Sequence, residues 1–145
     1  MNVTVSKISL VMAVDISNKV PEFGEKYTEG FYKNRISGKD NLVIGGFVEE
    51  KLAGAIVGYC RYDDGSFYCW MAGVDPRFRG KGVFKAMMDY LEKWSIQKGY
   101  KSIKVKTRNN KREMLSYLLK YGYNFLEVEK KSKVGDFRIL LEKII

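Results

Sequence analysis

An apolar run over residues 67–74 breaks at Asp75-Pro76 and passes through Arg77-Phe78-Arg79-Gly80-Lys81-Gly82 into a helical repeat that begins at Val83. A strand feeding a helix across two glycines constrains this chain more than any other feature. Glycine has no Cβ, so the backbone can turn left-handed there and approach a ligand closely. The first-turn amides of the following helix lack intrahelical acceptors and carry partial positive charge. The junction is therefore a cradle for an anion, and a diphosphate is its natural guest.

A Walker A loop would place Ser or Thr after Gly80-Lys81, where this chain has Gly82, so magnesium loses its usual hydroxyl ligand. A dinucleotide fingerprint would place a small residue at position 85, where this chain has Lys85, which disfavours nicotinamide binding. The pattern left, Arg77-x-x-Gly80-x-Gly82 at the end of a strand, resembles the pyrophosphate loop of the GNAT superfamily of acyl-CoA-dependent N-acetyltransferases.

The order of elements carries the same resemblance. Residues 3–14 are β-branched and apolar enough for a first strand, with Asp15 or Ser17 capping a helix after it. Phe23, Tyr27, Phe31 and Tyr32 recur at helical separations and predict one long or two short helices over 21–36. Strands are predicted over 41–49, 52–62 and 67–74, with turns at Glu50-Lys51 and Asp63-Asp64-Gly65. A two-residue Asp64-Gly65 turn would set Cys60 opposite Cys69. Val83, Phe84, Met87, Met88, Leu91 and Trp94 predict a helix ended by Gly99. Residues 102–107 alternate as a strand, and Asn110 and Glu113 have the spacing of a capping box for a helix that ends at Gly122. Residues 123–130 and 136–145 read as two final strands. The order β, α, β, β, β, α, β, α, β, β predicts a mixed α/β fold in one domain over 1–145. Its central sheet is mostly antiparallel with helices on both faces, and the order is similar to the GNAT fold over essentially the whole length.

At 145 residues the chain fits one compact core. No run of about 18 uncharged apolar residues is present, and the N-terminus lacks the pattern of a secretory leader. A cytoplasmic protein without membrane contact is expected. Two cysteines exclude a disulfide scaffold, and without histidine a metal site is disfavoured. The net charge of +9 is uneven: residues 1–76 hold 8 Lys/Arg against 10 Asp/Glu, and residues 77–145 hold 18 against 7. The basic half begins at the loop, as expected for attraction of coenzyme A, and the other half can receive a cationic amine. A nucleic-acid-binding module is the rival that this charge suggests, but the basic residues 101–112 lack interspersed stacking aromatics.

The resemblance implies acetyl-CoA as co-substrate, bound by Ala72, Gly73 and Val74 along the pantetheine arm. It places the diphosphate on Arg77, Arg79, Gly80, Lys81, Gly82, Val83 and Phe84, although the family usually has a small residue where Phe84 stands. Asn109 and Asn110, at the start of the next helix, are candidates either for the cofactor or for capping. The family's tyrosine lies four residues before the Gly122 position, which here is Leu118; Tyr117, one residue earlier, is the candidate proton donor to the thiolate, with amphipathic packing as the alternative. Tyr27, Phe31 and Tyr32 would line an acceptor pocket or belong to the core. The implied reaction is direct attack by a primary amine of a small molecule or a peptide or protein, with strand amides stabilising the oxyanion. Glu49, Glu50, Asp63 and Asp64 are the nearby carboxylates, each better explained by a solvated hairpin turn than as a base, so none is singled out for that role. A non-catalytic acyl-CoA sensor on the same fold stays open, as does a homodimer.

Overall fold

The computed structural model describes residues 2–24 and 26–145. Seven strands form one sheet in the order β1-β2-β3-β4-β5-β7-β6. They are β1 (Val3–Lys7), β2 (Asn41–Val48), β3 (Lys51–Tyr59), β4 (Ser66–Val74), β5 (Ser102–Arg108), β6 (Asn124–Glu129) and β7 (Arg138–Ile144). Every neighbouring pair is antiparallel except β4 and β5, which run parallel at the centre. The helices are α1 (Leu10–Ser17), α2 (Glu29–Ile36), α3 (Val83–Lys98) and α4 (Arg112–Lys120). This is the mixed α/β architecture predicted, with helices on both faces.

Two cores flank the sheet. Beneath α3 and α4, Ile44, Ile56, Phe67, Met87, Leu91, Ile103, Leu118 and Leu141 are buried together. Beneath α1 and α2, Ala13, Ile16, Tyr32, Val57, Tyr59 and Tyr68 form the second layer. The period-two alternation of a strand sends Phe67 and Cys69 to the first layer and Tyr68 to the second. No helix of the described residues is long and apolar enough to cross a membrane.

Several local expectations are corrected. The first strand ends at Lys7, because the Ser9 hydroxyl accepts the Met12 N–H at 3.2 Å and starts α1 there; neither Asp15 nor Ser17 is the cap. The 21–36 stretch divides into a 3-10 turn, Pro21–Phe23, and α2, which Thr28 caps through the Phe31 N–H. Cys60 lies outside β3, and Cys69 faces Gly58, so the two cysteines are not a cross-strand pair. Asn110 does not cap α4; the cap position is Lys111, without a side-chain bond.

The β2–β3 turn is Glu49-Glu50, one residue earlier than expected, with φ of 47° and 69°. Val48 pairs with Lys51 across it. Two left-handed non-glycine residues match the twist of a two-residue hairpin but hold each Cβ against its own backbone. Glu49 recovers part of this by accepting the Asn2 N–H at 2.8 Å. Glu50→Gly is expected to stabilise the fold by about 0.5–1 kcal/mol, the left-handed penalty less glycine's entropy; a lower Tm would show that the Glu50 side chain holds the turn.

Candidate functional site

β4 and β5 are paired only where Ser66–Cys69 meets Ser102–Val105. The register of β4 against β3 shifts at this point: Cys69 faces Gly58 and Met71 faces Val57, leaving Trp70 without a partner. An unpaired extra residue bends and twists the strand that carries it. Past Trp70, β4 leaves β5 while β5 stays with β7 as far as Arg108. The result is a gap in the middle of the sheet. The bulge also reverses the facing of side chains, so Trp70 and Met71 lie against the α1–α2 core and Ala72 and Val74 against the α3 core.

The backbone groups lining the gap are fixed by the ladder. The Asp75 N–H bonds to the Ala53 carbonyl at 2.8 Å, so Asp75 and, by alternation, Gly73 and Met71 face β3. Ala72 and Val74 therefore turn their N–H and C=O groups into the gap. The Val74 carbonyl accepts Arg79 Nε at 3.2 Å. Gly73 has another role: a Cβ there would stand 2.8 Å from the Phe23 ring, so its absence lets the 3-10 turn close onto the strand.

The chain then enters a second 3-10 turn, Pro76–Phe78, capped by the Asp75 carboxylate, which accepts the Arg77 N–H at 2.9 Å. Asp75 is also gripped by the Arg77 side chain, with Nη2 to Oδ2 at 2.7 Å, and this guanidinium holds the carboxyl below its usual range. Gly80 and Gly82 have φ of 75° and 84°, and a Cβ at either would meet only open space. Among the described residues, the amides of Gly80, Lys81, Gly82, Val83, Phe84 and Lys85 have no acceptor; the first helical bond is from Ala86 to Gly82. These amides lie at the N-terminus of the 16-residue α3, which adds its partial positive charge. Lys51 and Lys81 line an open groove beside the loop with Phe78 and Arg77.

A sheet parted at a central bulge, with free amides at the following helix, is the observation that comparison with known proteins then decides. The model of the acetyltransferase (GNAT) family matches residues 13–123. The chain belongs to this family. Ard1 from Thermoplasma volcanium superposes with a TM-score of 0.82 at 20% identity, covering 100% of this chain and 99% of the other. The ribosomal-protein-S18-alanine N-acetyltransferase of Escherichia coli also gives 0.82, at 14% identity, covering 99% and 94%. The PaiA N-acetyltransferase of Thermoplasma acidophilum, solved in complex with coenzyme A, gives 0.73 at 17% identity over 100% of each chain.

Other candidate residues of this GNAT protein gather near the gap. Phe84 turns toward α4 and meets Tyr117 edge to face at 4.8 Å, which leaves the loop amides open. Tyr117 is half-buried between Phe84 and Tyr121. Burial raises its phenol pKa, and its hydroxyl has no hydrogen-bond partner among the described residues. Asn109 and Asn110 tie the end of β5 to the 134–137 turn, through Asn109 Nδ2 to Val134 O at 3.2 Å and Asn110 N to Gly135 O at 3.0 Å. On the opposite face Tyr27 stacks on Phe31 at 4.3 Å and Phe31 reaches Trp70. Phe31 is 39% exposed and Tyr32 only 1%, so Tyr32 belongs to the core below them.

The carboxylates named from sequence stay at the hairpin ends. Glu49 and Glu50 form the β2–β3 turn, and Asp64 is held well below its usual range by Lys104, which bonds it at 2.7 Å. Three residues with no sequence signal do border the gap: Trp70 as the bulge, and Glu22 and Lys111, which meet across it. Cys69 is 2% exposed, and burial pushes its thiol up to about 12. A thiol-reagent titration of the folded protein at pH 8 should therefore modify Cys60 readily and Cys69 only on unfolding; fast reaction of Cys69 would show the gap reaching its sulfur.

Proposed function

We propose that this GNAT protein transfers an acetyl group from acetyl-CoA to a primary amine of a small molecule or of a peptide or protein, by direct attack. The observation that supports this most is the pairing of two backbone features on one side of β4. The Ala72 N–H and C=O and the Val74 N–H face the gap, and amides from Gly80 to Lys85 that have no acceptor among the described residues follow beyond the end of β4. An extended amide-bearing arm fits the first and a diphosphate the second, so the residues present suit coenzyme A. When bound, that carrier supplies an activated acetyl thioester.

The chain's own groups would divide the work. Main-chain N–H groups of Gly80, Lys81, Gly82, Val83 and Phe84 would hold the diphosphate. Arg77, Arg79 and Lys81 add positive charge around it. Ala72 and Val74 would orient the arm within the gap, with Gly73 keeping β4 anchored to β3. Asn109 and Asn110 shape the facing side between β5 and α4. Tyr27 and Phe31, over Trp70, would form an apolar wall for the acceptor, supported from beneath by Tyr32.

Proton traffic falls to Tyr117. Its phenol keeps its proton at neutral pH even at the ordinary tyrosine value, and its hydroxyl, without a hydrogen-bond partner among the described residues, is free to give that proton to a departing thiolate, burial making it the weaker acid. Covalent catalysis through Cys69 is disfavoured, since its thiol is neutral and buried and the chain has no histidine to activate it. Two free thiols fit a cytoplasmic setting.

Calorimetry with coenzyme A and thiol release from acetyl-CoA across a panel of amines test this function. Gly80→Asp sets a carboxylate among the free amides and should weaken coenzyme A binding roughly 100-fold. Tyr117→Phe should lower kcat by about 100-fold or more while leaving coenzyme A affinity unchanged. Undiminished kcat would reduce Tyr117 to packing, and acetyl-CoA binding without acceptor-dependent thiol release would mark a non-catalytic member of the family.

A further inference from the structure

Glu22 reaches both lips of the gap. Its Oε1 accepts Arg79 Nη2 at 2.7 Å, and its main-chain carbonyl accepts Lys111 Nζ at 3.2 Å. Arg79 comes after β4, and Lys111 stands at the cap of α4, which comes after β5. The adjoining Phe23 closes onto Gly73 of β4. The turn Pro21–Phe23 is thus a strap across the opening, tied at one end through an ion pair.

That ion pair uses a residue of the anion loop. Arg79 directly precedes Gly80, where the free amides begin. Its guanidinium is aimed by two bonds, Nε to the Val74 carbonyl at 3.2 Å and Nη2 to Glu22. The pair is strong enough to hold the Glu22 carboxyl below its usual range, chiefly through the Arg79 hydrogen bond. Both side chains remain accessible, at 39% for Arg79 and 44% for Glu22, so neither is locked by burial. An anion seated on the neighbouring amides would be a second claimant for the same donors.

We propose that Glu22 competes with a bound diphosphate for Arg79, so that cofactor binding loosens the Pro21–Phe23 strap from the β4 lip. Glu22 then lowers cofactor affinity and links occupancy of the loop to the segment crossing the gap. Lys111 keeps Glu22 tied on the α4 side, because its bond is to the main chain and needs no carboxylate. The inference rests on the assignment of coenzyme A to the Gly80–Lys85 amides.

Calorimetric titration with coenzyme A of the wild type, Glu22→Gln, Arg79→Met and the double variant tests it, with thermal melting to show that each is folded. Glu22→Gln should bind about three- to fivefold more tightly, the size of one exposed ion pair. In the Arg79→Met background the same change should have no effect. Equal or weaker binding by Glu22→Gln overturns the competition. A gain that persists without Arg79 overturns it as well, since it would reflect only the loss of a negative charge. Wild-type binding without a Glu22 effect refutes the competition alone, whereas no binding by any variant refutes the cofactor assignment and the competition together.

Discussion

Trp70 enters β4 without a partner on β3, and the second half of the strand turns away from β5 as a consequence. In a closed sheet the N–H and C=O groups of Ala72 and Val74 would be consumed by a neighbouring strand. Here no strand takes them: the Val74 carbonyl accepts Arg79 Nε, and the others face the gap. The bulge is tolerable because the other edge of β4 remains bonded to β3 on either side of it and because β5 is secured by β7. The opening weakens only one seam.

The loop after β4 separates two kinds of positive charge. Its arginines are largely occupied within the protein, Arg77 by Asp75 and Arg79 by Glu22. The main-chain amides from Gly80 to Lys85 have no acceptor among the described residues. Fixed dipoles on a helix end hold their direction without losing side-chain entropy, which suits them to a ligand that must be bound in one register. In the proposed site the arginines would then modulate binding more than they build it. Asp75, buried and paired, keeps the Pro76–Phe78 turn in shape ahead of the loop.

On the opposite face, four aromatic rings divide by depth. Tyr32 supports the second core, Trp70 bridges core and gap, and Tyr27 and Phe31 reach the surface as a stacked pair. Arg35 lies 5.0 Å over the Trp70 ring and donates to the Tyr59 hydroxyl at 3.3 Å, so a cation is packed among these rings. Charge counted along a chain does not say which side chains share a surface.

The order of elements, the helix from Val83 to its glycine stop, and the two-glycine loop are legible in the residues themselves, because hydrophobic period, glycine and proline act over a few positions. The first strand reads too long because β-branched residues also fill α1, where one hydroxyl bond from Ser9 decides the conformation. The turn at Glu49-Glu50 lacks a glycine to announce it, and the hairpin twist imposes it. Trp70 as a bulge, the gap-facing groups of Ala72 and Val74, and the meeting of Glu22 with Arg79 and Lys111 are not legible. Each depends on register between strands or on contact across 57 and 89 positions of chain, and such distances are set only when the whole sheet is assembled.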